Sequence, residues 1–175
     1  MRKTALILLT LIILSSCGSA KNKRVTPRKQ QTTKTIKKAR KKTNVPATRI
    51  VKSIINNAER YEGTRYKYGG TTKSGMDCSG LIYTAFKEDN IAIPRSSRAM
   101  SKTGDWIDLK KVRAGDLLFF ATKKNNRSIN HVGLVTAIKG DDVEFIHSTT
   151  SRGVITSKVK EKYWYFAFVQ ARRVL

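Results

Sequence analysis

Between Thr48 and Glu62 the apolar residues Ile50, Val51, Ile54, Ile55, Ala58 and Tyr61 recur at helical spacing. The spacing predicts an amphipathic helix with Thr48 as N-cap and Gly63 as stop. After a Gly69-Gly70 turn, Leu81, Ile82, Ala85 and Phe86 share one face of a second helix, with Pro94 on its far side; a short third helix is expected over Ser97 to Thr103. The period then changes. Asp116 to Phe120, His131 to Ile138, Asp142 to Ser148, Val154 to Val159 and Trp164 to Val174 are rich in β-branched and aromatic residues and separated by glycine or polar clusters, so each reads as a strand. Helices first and strands afterwards predict an α+β domain, N-terminal helices packed on a mainly antiparallel sheet.

Upstream of this domain the pattern is different. Arg2 and Lys3 precede an apolar run from Ala5 to Leu14, broken only by Thr10 and followed by Ser15-Ser16-Cys17-Gly18. A basic start, a short apolar stretch and small residues make an export signal, and the run is shorter than the ~20 residues of a spanning helix. Leu14-Ser15-Ser16-Cys17 also resembles the lipobox of bacterial lipoproteins, which implies cleavage after residue 16 and lipidation of Cys17. The chain is thus expected to divide into a signal peptide (1–16), a lipidated cysteine with a basic tether (17–46) and one domain (47–175).

Charge sharpens the picture of the tether. Lys21 to Pro46 holds eleven basic residues and no acidic one, a composition that cannot bury enough apolar surface to order itself. As a coil it would span roughly 25 to 30 Å. The formal net charge of the whole chain is +24. Such a balance often signals nucleic acid, but an exported chain meets none, so anionic lipid headgroups or a carboxylate-rich cell wall are the expected partners. A solvated spacer kept extended by self-repulsion is the simpler alternative for the tether alone.

The candidate chemistry lies in the domain. Cys17 and Cys78 are the only cysteines, so lipidation of the first leaves Cys78 as a solitary thiol. Asp77 is a good N-cap, which puts Cys78 at the first position of the second helix, where the terminal partial charge favours a thiolate. A small buried hydrophobe is the other reading of a lone cysteine. The only two histidines, His131 and His147, fall in adjacent strands around Lys139-Gly140-Asp141-Asp142. A hairpin centred on Lys139 would pair them directly across it on one face. A nucleophilic thiol needs a neutral imidazole as base and a third group to orient it, roles that Cys78, His131 and His147 can fill. The same trio is a possible zinc donor set with an open position, but no Cys-x-x-Cys or His-x-x-x-His spacing supports it, and no metal or other cofactor is expected.

Taken together, Gly63-Thr64-Arg65-Tyr66-Lys67-Tyr68-Gly69-Gly70, Asp77-Cys78-Ser79-Gly80, Gly115-Asp116-Leu117-Leu118-Phe119-Phe120, His131-Val132-Gly133 and Phe145-Ile146-His147 resemble, in order, the blocks of the NlpC/p60 family of bacterial cell-wall cysteine peptidases. The resemblance covers nearly all of residues 48 to 170. It implies a papain-like fold with the nucleophile at a helix start, packed on the sheet that carries the histidines. It implies further that Cys78 is the nucleophile, His131 the base and then acid, and His147 the orienting residue. Tyr66 matches a tyrosine beside the thiol that supports the oxyanion with the Cys78 N–H, and Asp77 and Ser79 match positions that bind a free amine of the substrate. Arg95, in Pro94-Arg95-Ser96, belongs to a substrate-binding block, although Met100 stands where the family carries glutamine. Ala114 replaces the usual proline before Gly-Asp, the interval from His131 to His147 is about four residues longer than usual, and no SH3-like wall-binding module is expected before the domain.

These readings lead to one expectation: a monomeric lipoprotein in the bacterial cell envelope that hydrolyses peptidoglycan stem peptides. The D-glutamyl–diaminopimelate bond is the first choice and the cross-link the second. A wall-binding lipoprotein without catalysis, and an amidase or acyltransferase on the same fold, are the rival expectations.

Overall fold

The computed structural model describes residues 47–175. The signal, Cys17 and the basic tether lie outside the described residues. Helix α1 (Ala47–Glu59) already includes Thr48, which is therefore a helical residue and not the expected N-cap, and a hydrogen-bonded turn carries the chain on to Gly63. Its buried Ile54 and Ala58 pack against α2 (Cys78–Glu88). Buried Asn57 of α1 ties the two helices together, donating to Ala85 O and to Asp89 Oδ2. Between them a small ribbon, β1 (Thr71–Thr72) and β2 (Gly75–Met76), leads into the cysteine. Helix α3 (Ser97–Met100) is shorter than expected because its backbone bonds end in a turn at Ser101 to Thr103.

Six strands form one antiparallel sheet. They are β3 (Asp105–Ile107), β4 (Leu117–Phe120), β5 (His131–Lys139), β6 (Asp142–Thr149), β7 (Gly153–Lys158) and β8 (Phe168–Arg173), in the order β3-β8-β4-β5-β6-β7. Alternation along the strands gives the sheet two buried faces. Leu117, Phe119, Val132, Leu134 and Ile146 join α1 and α2 in one core. Leu118, Phe120, Val135, Phe145 and Trp164 make the other. Near the chain's end, Asp116 is fully buried and takes a two-pronged ion pair from Arg173 (2.8 and 2.7 Å), which locks the start of β4 to β8.

Two expectations fail here. Trp164 to Val174 is not one strand, because Lys162–Ala167 forms a helix, α4, before β8 begins. Its aromatic residues favour a strand on propensity, but a helical turn puts Trp164 and Ala167 on the same buried side. Burial of the indole overrides the local preference.

The hairpin is also not centred on Lys139. Lys139 pairs with Asp142 across a Gly140-Asp141 turn, and Gly140 has a positive φ of 59°, the conformation such turns favour. The register then slips by one residue at a bulge between Val135 and Ala137. His131 and His147 are therefore not directly opposite; continuing the register from Leu134↔Ile146 puts Gly133 across from His147.

Candidate active site

Asp77 begins the site. Its carboxylate caps α2, with Oδ1 accepting the Gly80 N–H at 2.6 Å, so Cys78 is the first helical residue, as the sequence predicts. A side chain at position 80 is excluded: its Cβ would lie 2.0 Å from Gly70 O. The helix start is thereby pressed against the glycine-rich turn.

The rest of the Asp77 carboxylate is also used. Oδ1 accepts from Ser79 Oγ (3.0 Å) and Arg95 Nη1 (3.0 Å), and Oδ2 from Gly69 N (2.8 Å) and Arg95 Nη2 (2.9 Å). Arg95 Nη1 also donates to Ser79 Oγ at 2.8 Å. Burial works against the charge on Asp77, but the bonds from Arg95, Gly80 and Ser79 outweigh it and hold the carboxyl below the usual carboxylate range. Asp77, Ser79 and Arg95 thus form a closed clamp around the loop that presents Cys78. On the other side, buried Ser148 donates to Met76 O at 2.8 Å and ties the same loop to β6.

The histidines come from neighbouring strands and meet. His131 Nε2 lies 2.9 Å from His147 Nδ1, with the rings nearly perpendicular. Both sit on the sheet face away from α2, where Trp164 covers them: its ring stacks on His131 at 5.3 Å and meets His147 edge-on at 4.5 Å. Burial drives the His131 pKa down to about 4, and burial followed by the proximity of His131 and Arg152 lowers that of His147 as well. Both imidazoles are neutral at physiological pH.

Burial acts on the thiol in the opposite direction and pushes Cys78 up to about 11, although the N–H groups of Val132, Ser79 and Cys78 itself pull the other way. The helix terminus therefore does not prevail over desolvation here, contrary to the thiolate the sequence suggests. At rest a protonated thiol and a neutral imidazole line the same cavity. Half-buried Tyr66 stands near the sulfur, and burial together with Cys78 and Asp77 keeps its hydroxyl protonated.

Cys78 lies where two cavities meet, and Tyr66 and Asn130 line both with it. One, about 380 Å³, continues past His131 to Thr150, Arg152, Glu161 and Trp164. The other, about 520 Å³, runs past Asp77 and Ser79 to Arg95 and Arg98. Asn130 is held in place by a pair of bonds with Thr122. Asn130, Ser148, Arg152, Glu161 and Trp164 belong to the site but carry no local motif; only the folded sheet brings them to the sulfur. Among the described residues no group of three or more His, Cys, Asp or Glu is arranged to hold a metal ion.

A thiol at a helix start, a buried imidazole pair and two flanking cavities suit acyl transfer. The comparisons agree with that architecture. A murein DD-endopeptidase MepS/murein LD-carboxypeptidase of Escherichia coli K12 is 36% identical over 123 residues, covering 70% of this chain and 62% of the relative. A gamma-D-glutamyl-L-lysine dipeptidyl-peptidase of Bacillus subtilis is 41% identical over 81 residues, covering 46% and 27%. The crystal structure of an NlpC/P60 family protein from Bacillus cereus superposes with a TM-score of 0.65 at 32% identity, covering 71% of this chain and 40% of that one. The match thus spans less than two thirds of each relative's length. The family profile itself matches residues 63–173, nearly the whole described domain. The chain belongs to the NlpC/P60 family.

Proposed function

We propose that this protein is a cysteine peptidase that hydrolyses peptidoglycan stem peptides. One observation carries the reading: the thiol that opens α2 shares a cavity with His131, whose far nitrogen is engaged by His147. Because Nε2 of His131 faces His147, Nδ1 is the nitrogen left for the thiol. His147 then accepts at Nδ1 and carries its own proton on Nε2.

In the first step Cys78 Sγ attacks the carbonyl carbon while its proton passes to His131 Nδ1. The oxyanion is received by the Cys78 N–H and the Tyr66 hydroxyl. Collapse breaks the C–N bond, and the imidazolium protonates the leaving amine. Water, deprotonated by His131, then cleaves the thioester and restores the thiol. His147 stabilises the transient imidazolium and fixes its ring. Asp77, Ser79 and Arg95 shape the second cavity, where the acyl portion would lie.

The D-glutamyl–diaminopimelate bond is the first candidate, supported by the relative named for a gamma-D-glutamyl linkage. The cross-link is the second, supported by the relative named DD-endopeptidase. We place the enzyme in the cell envelope as a monomer, anchored through lipidated Cys17 with residues 17–46 as tether. The decisive experiment incubates wild type and Cys78→Ala with muropeptides and resolves the products by mass. New fragments from wild type alone support the reading; equal fragments from both would sink it.

A further inference from the structure

We propose that the cavity on the His131 side of Cys78 is a leaving-group site for a zwitterionic amino-acid centre, with Arg152 taking its carboxylate and Glu161 its ammonium. The inference rests on the hydrolytic reading above and deepens it. A general acid delivers its proton to the departing amine, so the leaving group must lie beside that acid. Of the two cavities that meet at Cys78, only the 380 Å³ one is lined by His131.

Arg152 and Glu161 are its two formally charged residues. Among the described residues neither takes part in a salt bridge. Arg152 is held through its backbone N–H, which donates to Thr149 Oγ1 at 3.0 Å, so its guanidinium stays uncommitted. Glu161 uses Oε1 to accept the Lys158 N–H at 2.7 Å, which fixes the side chain and leaves Oε2 available. The opposite cavity lacks this combination. Its one acid, Asp77, is saturated by the clamp, and its remaining charges are the cations Arg95 and Arg98.

A residue with both a carboxylate and an ammonium on its distal carbon satisfies both groups, and a planar guanidinium is suited to the carboxylate. Diaminopimelate has that distal centre. Lysine carries the ammonium without the carboxylate, and diaminopimelate amidated at the distal centre carries no anion there.

The test uses three L-alanyl-γ-D-glutamyl peptides that end in meso-diaminopimelate, its distal carboxamide or L-lysine. They are given to the full chain as wild type, Arg152→Gln and Glu161→Gln, and kcat/KM is read by mass spectrometry. Gln at 161 still caps Lys158, and thermal melts check that each variant is folded. Wild type should prefer the free carboxylate over both analogues by on the order of 10- to 100-fold. Arg152→Gln should bring the three peptides to within about twofold of one another, whereas Glu161→Gln should slow all three and keep the order. Equal wild-type rates, or a preference that survives Arg152→Gln, overturns the assignment while leaving hydrolysis intact. Failure of wild type to cleave any of the three, or any muropeptide, removes the hydrolytic reading and this inference with it.

Discussion

His131 and His147 touch at 2.9 Å because the ladder between β5 and β6 contains an extra residue. Counting back from the Lys139↔Asp142 pair without a bulge, His131 would face Thr150, and the two imidazoles would lie on opposite sides of the sheet. The slip between Val135 and Ala137 restores the parity, so the rings meet diagonally beside Gly133. Gly133 suits that place, since a Cβ there would lie 2.4 Å from the Phe145 ring. Bulges recur next to active sites, where they re-aim a side chain.

Substitution of His147 should separate orientation from simple packing. Asn places an oxygen where Nδ1 now sits and can still accept from His131 Nε2, whereas Ala cannot. We expect kcat to fall about 10-fold in His147→Asn and on the order of 10²- to 10³-fold in His147→Ala, with KM little changed. Equal losses in both variants would refute the orienting role.

Alkylation of Cys78 should follow a thiol and not a preformed ion pair. With the thiol near 11 and His131 near 4, the thiolate fraction is small at neutral pH and grows as pH rises. Iodoacetamide labelling should therefore keep accelerating above about pH 8. A plateau already reached near about pH 6 would mean that a thiolate–imidazolium pair forms at rest.

Acid should weaken the fold before the carboxylates titrate. His131 has its pKa lowered from 6.5 to about 4 by burial, so the unfolded chain binds the extra proton first. The stability present above the unfolded value is lost as pH falls from about 6.5 and levels off below about 4, a total of about 3 kcal/mol for this residue. Buried His147 acts with the same sign. Urea midpoints at a series of pH values measure the slope, and His131→Gln should flatten it. A wild-type midpoint that does not change between neutrality and about pH 5 would contradict the buried neutral pair.

Breaking the clamp should cost both stability and rate. Asp77→Ala removes the α2 cap and the partner of Arg95, whose side chain is 36% exposed and therefore partly screened. We expect a loss of about 2 to 4 kcal/mol in unfolding free energy and a fall in kcat/KM through displacement of Cys78. Arg95→Lys, which cannot reach both carboxylate oxygens, should lose less stability. Calorimetry with parallel kinetics checks the ranking; wild-type stability in Asp77→Ala would exclude the clamp.

Local chemistry made much of this molecule legible in its sequence. The 3.6-residue recurrence of Ile54 and Ala58, and of Leu81 and Ala85, marks the two core helices, since that period alone puts each pair on one side. Asp77 before Cys78 marks the helix start because capping needs only a side chain and N–H groups within a few residues. The two histidines could be assigned to neighbouring strands from their flanking apolar runs. Their meeting on one face was also expected, from a hairpin centred on Lys139, but the diagonal geometry that achieves it was not, because a bulge has no strong local signature and one residue of slip reverses every side chain. The helix that carries Trp164 was equally hidden: its aromatic run favours a strand by itself, and only the space beside Phe120, Phe145 and the histidines makes the helical turn preferable. The protonation of the thiol was decided at the same level. A helix terminus is visible in sequence, but desolvation depends on what the whole fold packs around the sulfur.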